Sequence, residues 1–86
     1  MAKQLVATRT LVRVLRELGF SESNRLGTHT LFHHGKKGAS VTLPTSRPYV
    51  PTVHLRAIEQ TMENYEIISR RDFEKKLDVP MAQARA

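Results

Sequence analysis

The chain has 86 residues, 40% of them hydrophobic, with no cysteine and a formal net charge of +6. That length allows one small domain with a modest core, and the lack of cysteine excludes a disulfide framework and thiolate metal sites. No apolar run approaches the roughly 20 residues of a membrane span and the N-terminus lacks the apolar core of a signal peptide, so a cytoplasmic protein without a membrane partner is expected.

Residues 8–18, "TRTLVRVLREL", predict the first helix. Leu11, Val14, Leu15 and Leu18 recur at helical spacing and make one apolar face. Thr8 or Thr10 can cap its start, and Gly19 stands where a helix-terminating glycine adopts the left-handed conformation. The opposite face carries Arg9, Arg13 and Arg16, which read either as a solvated face or as a phosphate-contacting stripe.

The period then changes. Residues 20–25, 28–34 and 39–43 read as three strands. The second is bounded by Gly27 and Gly35, and in the third Val41 and Leu43 alternate with Ser40 and Thr42. The four residues "GKKG" between the last two strands suit a hairpin loop, and Pro44 ends the third strand because it cannot donate to a ladder. "TSRPYVP", residues 45–51, reads as a loop. A second helix over residues 52–64 follows Pro51, with Leu55, Ile58 and Met62 as its apolar stripe and Asn64 as its stop. Ser69 and Asp72 have capping-box spacing, and Phe73 and Leu77 share a face of a short third helix. The order α-β-β-β-α, with two amphipathic helices covering one face of an antiparallel meander, is an α+β arrangement like that of double-stranded-RNA-binding domains.

Charge is unevenly spread. Residues 1–56 carry nine Lys/Arg against Glu17 and Glu22, whereas residues 57–86 carry five basic and six acidic groups. A basic part of this kind favours a polyanion as partner, nucleic acid first. It also holds three of the four histidines, in "GTHTLFHHGKKGASVTLP" (residues 27–44). On a strand, His29 and His33 lie about 13 Å apart, too far for one zinc ion to bind both, and His33 and His34 point to opposite faces. No metal site and no cofactor are expected. A catalytic reading needs one group titrating near neutrality, which imidazole supplies. His29 lies just inside its strand, with Arg25, Lys36, Lys37 and Arg47 as candidate sources of positive charge.

Five segments together resemble the HicA-like (YcfA-like) family of small mRNA-interferase toxins. "LVRVLRELGF" (11–20) is similar to the family's first helix, "GTHTLF" (27–32) to its Gly-Ser/Thr-His motif and strand, and "VTLP" (41–44) to its third strand. "LRAI" (55–58) is similar to its second helix, and "ISRRDF" (68–73) to the start of the last helix in longer members. A Gly-Thr pair usual near the start of the second helix stands here as Val53-His54, and a frequent second histidine after the motif stands as Thr30.

The resemblance implies a double-stranded-RNA-binding-domain-like fold over residues 1–78, with a C-terminal tail at 79–86. It implies an endoribonuclease acting on mRNA without metal through a single catalytic histidine, His29, and a HicB-like antitoxin as protein partner. A homodimer stays open. The expected RNA-binding groups are Arg9, Arg13, Arg25, Thr28, Lys36, Lys37 and Arg47. No partner histidine is obvious as general acid, since His33 lies far along the strand and His54 on another element, and the identity of the general acid stays open. The alternative is a non-catalytic RNA-binding module of the same fold.

Overall fold

The computed structural model describes residues 6–77; the expected tail at 79–86 lies outside the described residues. The element order is β1 (Val6–Ala7), α1 (Thr8–Glu17), β2 (Phe20–Leu26), β3 (His29–His34), β4 (Ala39–Pro44), β5 (Tyr49–Val50), α2 (Thr52–Asn64) and α3 (Arg70–Leu77). The fold is α+β. β2, β3 and β4 form a three-stranded antiparallel sheet in that order, and β1 pairs with β5 in a separate two-stranded sheet. Among the described residues no helix is long and apolar enough to cross a membrane.

α1 buries the stripe its spacing predicts. Leu11, Val14 and Leu15 are wholly inaccessible, while Leu18 is half-buried at the C-cap. Truncating one such leucine to alanine costs about 2–5 kcal/mol. Gly19 follows with φ +105° and donates its N–H to the Arg16 carbonyl. The start of the helix differs from expectation. Ala7, not a threonine, is the N-cap, and no side chain caps it. Thr8 is turned to the neighbouring loop instead, where its hydroxyl donates to the Arg47 carbonyl (2.6 Å) and its N–H to the Pro48 carbonyl (2.9 Å).

That loop is also more ordered than its prolines suggest. Tyr49 and Val50 pair with Ala7 and Val6, and Val6 and Val50 are both buried in the core. Neither dipeptide has enough length to show a period, so the second sheet is invisible to pattern reading.

In the main sheet, Leu26 and His29 face each other across a two-residue loop, Gly27-Thr28. Gly27 has φ +61°, as the first central position of a tight hairpin turn demands. Phe32 pairs with Val41, Thr30 with Leu43 and His34 with Ala39; all six are buried. Phe20, Phe32, Ala39, Val41 and Leu43 belong to one cluster with Leu11, Leu15, Leu55, Ile58 and Met62. The alternate residues Ser21, His33, Ser40 and Thr42 are exposed on the other face.

α2 ends in a six-to-one bond from Ile67 N–H to the Met62 carbonyl and an inner bond from Glu66 N–H to the Glu63 carbonyl. This is a Schellman motif, but Glu66 with φ 54° occupies the left-handed position that glycine usually fills. Ser69 caps α3 as expected, its Oγ accepting the Asp72 N–H. Phe73 and Leu77 are buried, and Arg70 ties α3 to α2 through Glu59 (3.5 Å) and, by its backbone N–H, through Glu63 (3.1 Å).

Candidate functional site

One irregularity in β2 shapes the basic surface. Glu22 pairs with Phe32 but Arg25 pairs with Thr30, because the register shifts between Glu22 and Asn24. In a regular strand, residues three apart lie on opposite faces. The inserted residue restores Arg25 to the face of Phe20 and Glu22, so it stands beside the flank of α1.

The result is an open cleft of about 640 Å³ between α1, β2 and the loop after β4. Arg9, Val12 and Arg16 line it from α1, Glu22 and Arg25 from β2, and Arg47 and Tyr49 from the loop and β5. Thr30 and Thr45 also line it, their hydroxyls joined at 2.8 Å. Glu22 partly neutralises the cleft. Its carboxylate accepts from Arg25 at 2.7 Å and lies 4.0 Å from Arg16. Among the described residues Arg9 and Arg47 form no ion pair, which leaves their guanidinium groups available to an anion. Tyr49 is half exposed and offers a ring on which a nucleobase can stack.

The structure therefore separates the expected basic residues into groups. Arg9, Arg25 and Arg47 converge on the cleft, joined by Arg16. Arg13 points elsewhere and donates to Glu17 one turn on, at 3.1 Å. Lys36 and Lys37 occupy the turn between β3 and β4. They lie beyond the far end of β3 from His29, about 20 Å away at the rise of a strand, so neither lysine can assist chemistry at His29.

The three histidines of the β3 region have three different surroundings. His29 is half-buried at the start of β3, with its Nδ1 3.0 Å from the Thr28 hydroxyl. It adjoins the cleft through the backbone, for Thr30 follows it and the Thr45 N–H bonds the Thr28 carbonyl at 3.0 Å. His33 is exposed and pairs with Ser40 Oγ at 2.9 Å. His34 is a core residue. Its ring meets Phe20 edge-on at a centroid distance of 5.1 Å, and its Nδ1 accepts the Lys37 N–H at 3.1 Å. That bond makes Nδ1 an acceptor and so fixes the ring proton of the neutral form on Nε2.

Strand geometry correctly separates His33 from His29. It gives no hint of the neighbour that His29 does have. The first turn of α2 comes to this end of the sheet and holds the His54 ring 6.4 Å from that of His29, centroid to centroid, the planes tilted by 57°. His54 and Thr45 are the site residues that spacing could not reveal, since each comes to His29 or the cleft by tertiary packing. Among the described residues no three His, Asp or Glu side chains gather as a metal-binding group.

No family model, curated protein or solved structure matches the chain.

Proposed function

We propose that this chain is a metal-independent endoribonuclease on a double-stranded-RNA-binding-domain-like fold. In this reading it is the HicA-like toxin of a type II toxin–antitoxin pair, acts on mRNA in the cytoplasm and is held inactive by a HicB-like antitoxin. The observation that carries the reading is His29, held at 3.0 Å by the Thr28 hydroxyl and next in sequence to Thr30, which lines an arginine-rich cleft.

The chemistry follows from that pairing. In the tautomer whose Nδ1–H donates to the Thr28 hydroxyl, the lone pair of His29 Nε2 is free, and the contact holds the ring's orientation. Nε2 takes the proton of a ribose 2′-hydroxyl. The 2′-oxygen attacks the adjacent phosphorus and the bond to the 5′-oxygen breaks, giving a 2′,3′-cyclic phosphate and a 5′-hydroxyl end. Base assistance of this kind contributes about 10²- to 10⁴-fold. Arg9, Arg25 and Arg47 hold flanking phosphates, and guanidinium forks suit that task.

The test is cleavage of single-stranded RNA in EDTA by wild-type protein and His29→Ala, with circular dichroism of both. Wild type should cut and the variant should not. Affinity rests on several cation–phosphate contacts, so His29→Ala should still bind RNA. Binding without cleavage by both proteins would leave the non-catalytic module as the correct reading.

A further inference from the structure

We propose that His54 is a second catalytic residue, the general acid that protonates the 5′-oxygen as it leaves. This rests on the ribonuclease reading and adds to it a two-histidine mechanism.

The geometry carries the inference. The two rings come from different elements, β3 and the first turn of α2. At a centroid separation of 6.4 Å they are too far apart to bond each other. The gap suits a phosphodiester gripped from both sides, since each ring nitrogen needs only to come within about 3 Å of its own oxygen. In an in-line displacement the entering and leaving oxygens stand on opposite sides of phosphorus, so one base cannot conveniently serve both. Two imidazoles on different elements, their centroids 6.4 Å apart and their planes tilted by 57°, can. Both rings are half-buried, which leaves each partly open to substrate.

The position of His54 is also firmly held. Pro51 is the N-cap of α2, and its carbonyl accepts both the His54 N–H (3.0 Å) and the Leu55 N–H (3.1 Å). Leu55, the next residue, is anchored in the core. The backbone that carries the imidazole is thus fixed from both directions.

The step balances. His29 Nε2 gains the 2′-hydroxyl proton, the 2′-oxygen–phosphorus bond forms, and the phosphorus–5′-oxygen bond breaks. His54, entering protonated, gives its proton to the 5′-oxygen. Solvent then returns each ring to its starting state, and no oxidant, reductant or metal enters the balance.

The discriminating substrate is an RNA dinucleotide in which sulfur replaces the bridging 5′-oxygen, because a thiolate leaves without protonation. His54→Ala should cut the all-oxygen RNA about 10²- to 10⁴-fold more slowly than wild type, yet cut the sulfur substrate at close to the wild-type rate. His29→Ala should be slow on both, because its proton transfer precedes the leaving step. Equal loss on both substrates in His54→Ala, or no loss on either, overturns the general-acid role while leaving the ribonuclease reading intact. A wild-type protein that cuts neither substrate overturns both.

A measurement on the unaltered protein guards against a folding defect in the variant. Titration with a nucleoside 2′,3′-cyclic phosphate, followed by imidazole proton resonances, should move His29 and His54 together and leave His33 unmoved. A shift at His29 alone would remove His54 from the site.

Discussion

Gly19 and His34 are fitted to one another so closely that a Cβ built on Gly19 would stand 2.7 Å from His34 Nε2. The imidazole cannot easily retreat, because Phe20 holds its edge and the Lys37 N–H holds its Nδ1. Gly19 moreover has φ +105°, where any L side chain is strained. Gly19→Ala should therefore lower stability by about 2–3 kcal/mol. His34→Ala should cost a similar amount, from lost packing and an orphaned turn amide. His33→Ala should change stability by about 0.5 kcal/mol or less. Urea denaturation of the three variants checks the ordering, and a His34→Ala protein as stable as His33→Ala would contradict it.

On the proposed ribonuclease reading, salt dependence distinguishes the cleft from the hairpin turn as the place where RNA would lie. Each phosphate contact to single-stranded RNA contributes about 0.7 to the slope of log K against log[salt]. Arg9→Ala with Arg47→Ala should shrink that slope by more than one unit, given two guanidinium groups in the cleft that form no ion pair among the described residues. Lys36→Ala with Lys37→Ala should reduce it less, as those residues project from the far turn. The opposite ranking would move the RNA path to the β3–β4 turn.

Glu59 provides a pH signature. Burial raises its carboxyl from 4.5 to about 7, helped by the hydrogen bond and charge of Glu74 and opposed by Arg70 and Arg56. A folded value above the unfolded one means that the native state binds the extra proton. Its stabilisation is complete below pH 4.5 and is lost as pH rises through 7. The loss is on the order of 3 kcal/mol. Glu59→Gln should remain neutral throughout, so its thermal midpoint should decline less than that of wild type between pH 5 and 8. Parallel curves would show that the carboxyl titrates near its ordinary value.

Glu66 is a site where stability can be gained. Its φ of 54° costs a non-glycine residue about 1 kcal/mol, and it closes the Schellman turn that glycine closes without strain. Glu66→Gly should stabilise the protein by about 0.5–1 kcal/mol, less the greater freedom of glycine in the unfolded chain. Chemical denaturation decides the sign, and a loss of stability would mean that the Glu66 side chain does more at the turn than its backbone strain costs.

The legible parts of the sequence were those whose signal is local. Leu11, Val14 and Leu15 announce α1 by spacing, Gly19 its end and Ser69 the start of α3, and each is where the residues say it should be. The β2–β3–β4 meander follows from alternation and two glycine-bearing turns. What was illegible depends on partners distant in sequence. Thr8 looks like a cap until the 45–51 loop offers it a carbonyl. The shift beyond Glu22 that turns Arg25 into the cleft leaves no mark in a strand of mostly polar residues. His33 and His34 are indistinguishable as letters, yet one is solvated and the other is core. His54 comes near His29 only through the placing of α2.

The contact between Thr8 and Arg47 spans 39 residues, and the pairing of β1 with β5 spans a similar stretch. Both hairpins of the main sheet close within a few residues, so they can form early and fast, whereas the β1–β5 clasp must overcome the entropy of a long loop before its contacts begin to help. Thr45, Arg47 and Tyr49 belong to the segment that this clasp secures. The cleft therefore comes into being with the slow, long-range part of folding. A chain that had made its hairpins but not yet joined its ends would carry His29 on a formed strand before the arginine-lined cleft was assembled.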